Sequence, residues 1–218
     1  MPRASRADAE RHRAQVIEAA AKLVRAHGAG NVSVPQAMAA AGLTHGGFYR
    51  HFASKDDLIA QACSAAFAER VRALDDLAAD AGADTGDVAG ADTADTADTA
   101  DAGDDAGTTA RAAFLSGYLS ASHRDNAALG CPGASLAVDA ARTEPGDPLR
   151  RAFTDGLREL IGAMRQLDEG ADEETVIVEL SAMVGALMLA RACAGDELSD
   201  EILGVVRRHL LGGQAAPA

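Results

Sequence analysis

Residues 44–58 read Thr44, His45, Gly46, Gly47, Phe48, Tyr49, Arg50, His51, Phe52, Ala53, Ser54, Lys55, Asp56, Asp57 and Leu58. Phe48 and Phe52 stand four apart, so in a helix they share one face and can anchor it. Thr44, His45, Tyr49 and His51 then fall on other faces, and Thr44 is placed to cap the segment's start. Ser54 followed by Asp57 is a capping-box pattern for a next helix, whose apolar positions Leu58, Phe67, Val71 and Leu74 continue at helical spacing. A short helix pinned through two rings, with polar side chains turned away from the pins, has what a reader of the DNA major groove needs. Lys55, at the start of the following helix, is where a phosphate can be met.

Working outward, Val16, Ala20, Leu23 and Val24 predict a helix from Asp8 to His27, closed by Gly28. Ser33 can cap a short second helix with Pro35 in its first turn and Gly42 at its end, Val34 and Met38 facing inward. Downstream, helical patterns cover about 110–123, 133–142 and 148–167, broken at Gly130–Pro132 and Pro145–Pro148. Residues 173–193 carry Val176, Leu180, Met183, Val184 and Leu187 on one face, widened by Ile177, Val178, Met188 and Leu189. A helix apolar around so much of its circumference is expected to be buried on two sides. A last helix repeats Leu198, Ile202, Val205, Val206 and His209 at the same spacing.

Between these regions, residues 79–109 change character: Ala-Asp-Thr triplets begin at 83, 91, 94 and 97, nine Asp lie between 80 and 105, and no Lys or Arg interrupts. Little apolar surface is present to offset ordering entropy, so this stretch is read as a disordered acidic loop. A calcium-binding repeat would need a glycine turn and a terminal Glu that the spacing lacks. The expected architecture is all-α: a helix-turn-helix head over 1–52, a helical body over 53–212 interrupted by that loop, and a disordered tail over 213–218.

The 218-residue chain has no Trp, 2 Tyr and 5 Phe, which favours helices packed through small and aliphatic side chains. Its net charge of −13 is unevenly spread. Residues 1–60 hold 8 Lys or Arg against 5 Asp or Glu, a local +3, and the remainder carries −16. With a screening length of about 8 Å at physiological salt, a mildly basic head on an acidic body is compatible with nucleic acid. No uninterrupted run of 18 apolar residues occurs and the N-terminus is basic and polar, so neither a membrane span nor secretion is expected, and the cytoplasm is the expected location. Cys63, Cys131 and Cys193 lack metal-type spacing and are read as reduced thiols; no metal and no cofactor are expected.

Over residues 8–60 the chain resembles the TetR family of transcriptional regulators, through the Ala41, Gly42, Leu43 turn, the segment Phe48 to Phe52, and Ser54 with Lys55. The resemblance implies an N-terminal helix-turn-helix, a helical ligand-binding body, a homodimer on a palindromic double-stranded operator, and repression relieved by a small-molecule inducer. It implies that Tyr49 packs on the DNA backbone, that His51, Lys55 and Ser33 meet phosphates, and that the first turn, Thr44, His45, Gly46 and Gly47, reads bases. The paired glycines depart from the family pattern: either the bare backbone approaches DNA closely, or the turn is tightened against helix two. Arg3, Arg6, Arg11 and Arg13 form either a phosphate-seeking arm or a solvated tail.

Candidate inducer contacts are Phe67, Phe114, Tyr118, His123, Cys131, Phe153, Leu157, Met164 and Met183, any of which can equally be ordinary core. With few charges near them, the expected inducer is an uncharged or weakly acidic apolar molecule. The expected dimer interface is Val176, Leu180, Met183, Val184, Leu187, Ile202, Val206 and His209; completion of the subunit's own core is the competing reading. Two half-sites about 34–36 Å apart favour the dimer, since one short helix binds weakly. Cys131 precedes a helix whose dipole favours a thiolate, which suggests an oxidant or electrophile sensor; a small buried residue at a tight break is the alternative. Two further classes are a thiol enzyme using Cys131, His123 and Asp139, and an adaptor that binds a protein through the acidic loop. A regulator rather than an enzyme is expected.

Overall fold

Capping chemistry sets the element boundaries in the N-terminal third. In the computed structural model, which describes residues 6–84, 102–167 and 170–212, helix α1 spans Arg6–His27 and stops where Gly28 takes φ +82°. Helix α2, Val34–Ala40, has a full capping box: the Ser33 hydroxyl accepts from the Gln36 N–H, and the Gln36 side-chain carbonyl accepts from the Ser33 N–H at 2.9 Å. Gly42, at φ +71°, then turns the chain so that the Leu43 N–H reaches the Met38 carbonyl at 2.9 Å.

The third segment differs from the expected helix. It is a 3-10 segment, η1, His45–Arg50, and Thr44 is extended but makes no side-chain cap bond. Gly46 and Gly47 each cost about 1 kcal/mol of helix propensity relative to Ala, and without a cap the segment tightens. Helix α3, Lys55–Asp84, starts as expected, with Ser54 Oγ accepting from the Asp57 N–H at 3.0 Å. The Asp57 carboxylate reaches back to the Ala53 N–H, also 3.0 Å, one residue before the position a standard box would use.

Helix α3 persists to Asp84 and helix α4, Ala102–Tyr118, has begun by Ala102. The expected loop over 79–109 is therefore too long at both ends, because the alanines interspersed among the aspartates sustain helix. Residues 85–101, which hold the triplets at 91, 94 and 97, lie outside the described residues, as does the tail from 213. The helix expected over 110–123 is split: α4 stops at Tyr118 and α5, Ala121–Asp125, restarts where Ser120 Oγ accepts from the His123 N–H at 3.2 Å. A short 3-10 turn η2, Ala127–Leu129, and helices α6, Pro132–Arg142, α7, Pro148–Arg165, α8, Glu173–Ala192, and α9, Glu197–Leu211, follow. Every regular element among the described residues is helical.

The chain divides into two compact units, Met1–Glu69 with Asn126–Arg158, and Arg70–Asp125 with Glu159–Ala218. This differs from a division at residue 52, because α1 packs on η2 and α6 as well as on α2. Two polar clasps hold the end of α1 within the first unit. The buried Arg25 pairs with Glu69 of α3 at 2.8 Å, and Asp139 of α6 accepts from the Ala29 N–H at 3.1 Å. Phe67 is fully buried in the same unit, edge-on to Phe153 with centroids 5.4 Å apart.

In the second unit α8 packs on α9, and α4 on α9. Asp172 and Asp196 cap α8 and α9 through the Thr175 and Leu198 N–H groups, and the Asp172 bond to Thr175 holds that carboxyl below its usual range. Val176, Leu180, Met183 and Leu187, four of the residues expected at a dimer interface, are buried in the subunit's own packing. Among the described residues α8 alone is long and apolar enough to cross a membrane, with a mean hydropathy of 1.6 over its best window. The buried Glu179 on its inner side, paired with Arg111 of α4, and its packing on α9 are those of a core helix.

Gly156 of α7 is the tightest point: a Cβ built there would stand 2.4 Å from a ring carbon of Phe67. Gly156→Ala is expected to destabilise the protein by about 1–3 kcal/mol through overpacking, read as a lower urea midpoint.

Candidate nucleic-acid interface

Phe48 and Phe52 are both buried and stacked, with ring centroids 5.3 Å apart. The Arg13 guanidinium covers the Phe52 ring at 5.6 Å and bonds Gln61 of α3, so α1 and α3 both brace the pinned side of η1. Tyr49, edge-on to Phe48, is 77% exposed. In a 3-10 segment side chains three apart align, which places Thr44, Gly47 and Arg50 along one line and Gly46 with Tyr49 along another. Thr44, Gly46, Tyr49 and Arg50 are exposed and Gly47 is half-buried. The His45 side chain lies outside the described residues.

The phosphate candidates are less free than the sequence suggests. Ser33 is exposed, but its hydroxyl donates to Gln36 Oε1 at 2.7 Å, so its proton is already engaged. Lys55 is half-buried, with Nζ 3.4 Å from the Gly30 carbonyl. His51 is half-buried, its ring edge-on to Phe52 at 6.3 Å. The basic arm is largely spent inside α1: Arg6 pairs with Glu10 at 3.0 Å, Arg11 with Asp8 at 2.6 Å, and Arg13 turns inward, while Arg3 lies outside the described residues. The sequence reading passed over Gln36 and Arg50, both exposed on this head. The signal for Arg50 is a spacing of three, which a search at α-helical period does not find.

The glycine pair is not demanded by the chain's own packing. A Cβ at Gly46 would meet nothing within 4 Å, and one at Gly47 would make ordinary contact with Met38 Cε at 3.9 Å. Neither has a positive φ. A tightened turn against α2 therefore does not explain them, which favours the bare-backbone alternative.

The expected inducer contacts fall in both units. Phe67, Cys131, Phe153 and Leu157 belong to the first, and Phe114, Tyr118, His123, Met164 and Met183 to the second. In the second unit Tyr118 lies edge-on to Phe114 at 5.8 Å and to His123 at 4.5 Å. Burial pushes the His123 imidazole down to about 4, and Arg70 and Arg191 act in the same direction, although Nδ1 lies 2.8 Å from the Tyr118 carbonyl. Open depressions among the described residues include one of about 770 Å³, lined by Arg111, Asp172, Val178, Glu179, His209 and Leu210 among others, and one of about 330 Å³, lined by Gln15, Glu18, Ala19, Lys22, Leu23 and Ala40 among others. None of the nine expected contacts lines either of these two.

Cys131 is fully buried at the N-cap of α6, which supports the reading as a packed residue over that as a thiolate sensor. Of the residues considered for a thiol enzyme, Cys131 and Asp139 belong to the first unit and His123 to the second, and the Asp139 carboxylate accepts from the Ala29 N–H. No group of three or more His, Cys, Asp or Glu that could hold a metal occurs among the described residues.

Residues 16–62, which contain α2, η1 and the start of α3, match the profile of bacterial regulatory proteins of the tetR family. Over these residues the chain is similar to the TetR family. No curated protein matches this chain in sequence. In fold it is similar to Escherichia coli NemR in its reduced form, at 17% identity over 95% of this chain and 99% of that one, with a TM-score of 0.69. A TetR-family regulator from Agrobacterium tumefaciens shares 17% identity over 94% and 97%, TM-score 0.66. A TetR regulator from Chloroflexus aurantiacus J-10-FL shares 23% over 94% and 95%, TM-score 0.64. At these identities the likeness is one of fold, and it extends beyond the head to nearly the whole chain.

Two outcomes follow from this geometry. Gly46→Ala should leave the melting temperature unchanged or slightly raised while weakening operator binding about tenfold, equivalent to ~1.4 kcal/mol, in a fluorescence anisotropy titration. His123 is neutral in the folded protein and takes up a proton on unfolding between pH 6.5 and about 4. Its contribution is therefore fully present above pH 6.5 and is lost as the pH falls toward 4, so His123→Gln should flatten that part of the stability profile in urea melts.

Proposed function

We propose that this chain is a homodimeric, ligand-responsive transcriptional regulator, a repressor that a small molecule releases from a palindromic operator. The observation that carries the reading is the pinned η1, anchored by Phe48 and Phe52 and exposed along Thr44, Gly46, Tyr49 and Arg50. Tyr49 packs on the DNA backbone, Lys55, Ser33 and His51 meet phosphates, and Thr44 to Gly47 approach the base edges. Such a protein acts where the chromosome is, in the cytoplasm, and performs no chemistry on its ligand.

Dimerisation is assigned to the outward sides of α8 and α9. Val178 is 61% exposed and Leu189 58%, while Ile177, Leu198 and Val205 are exposed too; Ser181 and Gly185 lie between the α8 residues and Ala192 follows them. Small residues there allow two helices to approach closely. Val184, Ile202, Val206 and His209 keep enough exposure to join this surface, whereas Val176, Leu180, Met183 and Leu187 are committed to the core. The inducer is assigned to the second unit, around Phe114, Tyr118 and His123, whose apolar character suits an uncharged or weakly acidic molecule. Helix α3 runs unbroken from the first unit into the second and is the covalent path between the two events. Ligand and operator must then weaken each other's binding by the same factor.

Selection of bound fragments from random double-stranded DNA tests the reading. It should recover a palindrome with half-sites separated by about one helical turn or a multiple of it. Val205→Glu should give a folded monomer by sedimentation that binds this palindrome at least about a hundredfold more weakly, since each half-site is then met alone. A dimer retained with full affinity would remove the assigned interface.

A further inference from the structure

We propose that Arg50 is a base-reading residue of this head, its guanidinium donating to the O6 and N7 acceptors of a guanine in the major groove. The inference deepens the proposed function and rests on it. Among the described head residues, the six other cations, Arg6, Arg11, Arg13, Lys22, Arg25 and Lys55, each have a hydrogen-bond partner within the protein. Arg50 is exposed and has none among the described residues. It is also the last residue of η1, next but one to each of the two buried rings, so its backbone is fixed where its side chain is free.

The line of η1 that carries Arg50 runs through Gly47 to Thr44. Gly47 contributes no side chain to it, and Gly46 beside it has open space in front. Base identity is read by side chains that make two hydrogen bonds at once, and among the described exposed side chains of α2 and η1 only Gln36 and Arg50 have that capacity. Gln36 is disqualified: its carbonyl oxygen already accepts from both the N–H and the hydroxyl of Ser33, at 2.9 and 2.7 Å, so it cannot present the acceptor and donor pair that adenine needs. Thr44 and Tyr49 each offer one hydroxyl. Arg50 has a planar fork of donors, the group that matches guanine.

The test is selection from random double-stranded DNA with the full chain, its Arg50→Ala variant and its Arg50→Lys variant, followed by titration of the selected operator over a range of salt. The wild type should select a guanine at one position in each half-site. Arg50→Ala should lose preference at that position alone, bind the wild-type operator about 10- to 100-fold more weakly, and become indifferent to replacement of that guanine. Arg50→Lys should restore the salt dependence without restoring the guanine, because a point charge can meet a phosphate but lacks the fork. An Arg50→Ala variant that keeps the wild-type motif while weakening on every sequence equally, with Lys as full replacement, would make Arg50 a phosphate contact and overturn the inference alone. A wild-type chain that selects no motif would overturn the regulator reading and the inference together. Circular dichroism melts of the variants should match the wild type, since the side chain has no partner to lose.

Discussion

The burial of Phe48 and Phe52 is the constraint on which the head depends. A six-residue 3-10 segment with two glycines and no side-chain cap has too few internal bonds to hold itself in place. Each buried phenyl ring contributes about 1.5–3 kcal/mol of transfer free energy, enough to fix the segment from one side only. That one-sidedness is the functional point. Everything not on the ring side stays exposed, with its backbone position set by groups it does not touch. The turn at Gly42 and the capping box at Ser33 serve the same end by holding α2 against η1.

The first unit also fixes the end of α1. Arg25, Gly28 and Ala29 lie within one turn, and through Glu69 and Asp139 that turn is tied to both α3 and α6. A buried guanidinium is costly unless paired, and its carboxylate partner here is half-exposed, so the pair contributes more to placement than to net stability. The consequence is that α6, far along the chain, belongs mechanically with the DNA-binding head rather than with the remaining helices. A unit assembled from two distant stretches of sequence is one that a change in either stretch can disturb.

Helix α8 illustrates a different economy. Its inner residues Val176, Leu180, Met183 and Leu187 pack in the second unit, and the buried Glu179 is held by Arg111. Its outer side is apolar as well but carries Ser181, Gly185 and Ala192. A helix with so little polar surface is poorly suited to water on its outer side, which is the physical case for a second copy of the chain covering it.

Local sequence was sufficient for the all-helical class, the order of the helices, the caps at Ser33 and Ser54 and the two anchoring rings, because each depends on residues within a turn or two of one another. It was sufficient also for the likeness of residues 16–62 to the tetR family, since those residues are contiguous. Three features needed the tertiary structure. Which half of the α8 apolar stripe is core depends on where α9 lies, and periodicity alone cannot distinguish two faces of equal hydropathy. Phe67 packs edge-on to Phe153, a contact between helices distant in sequence. The freedom of Arg50 is visible only once every other described cation of the head has been found with its partner, and pairing across a fold is not written in the spacing of the residues that make it.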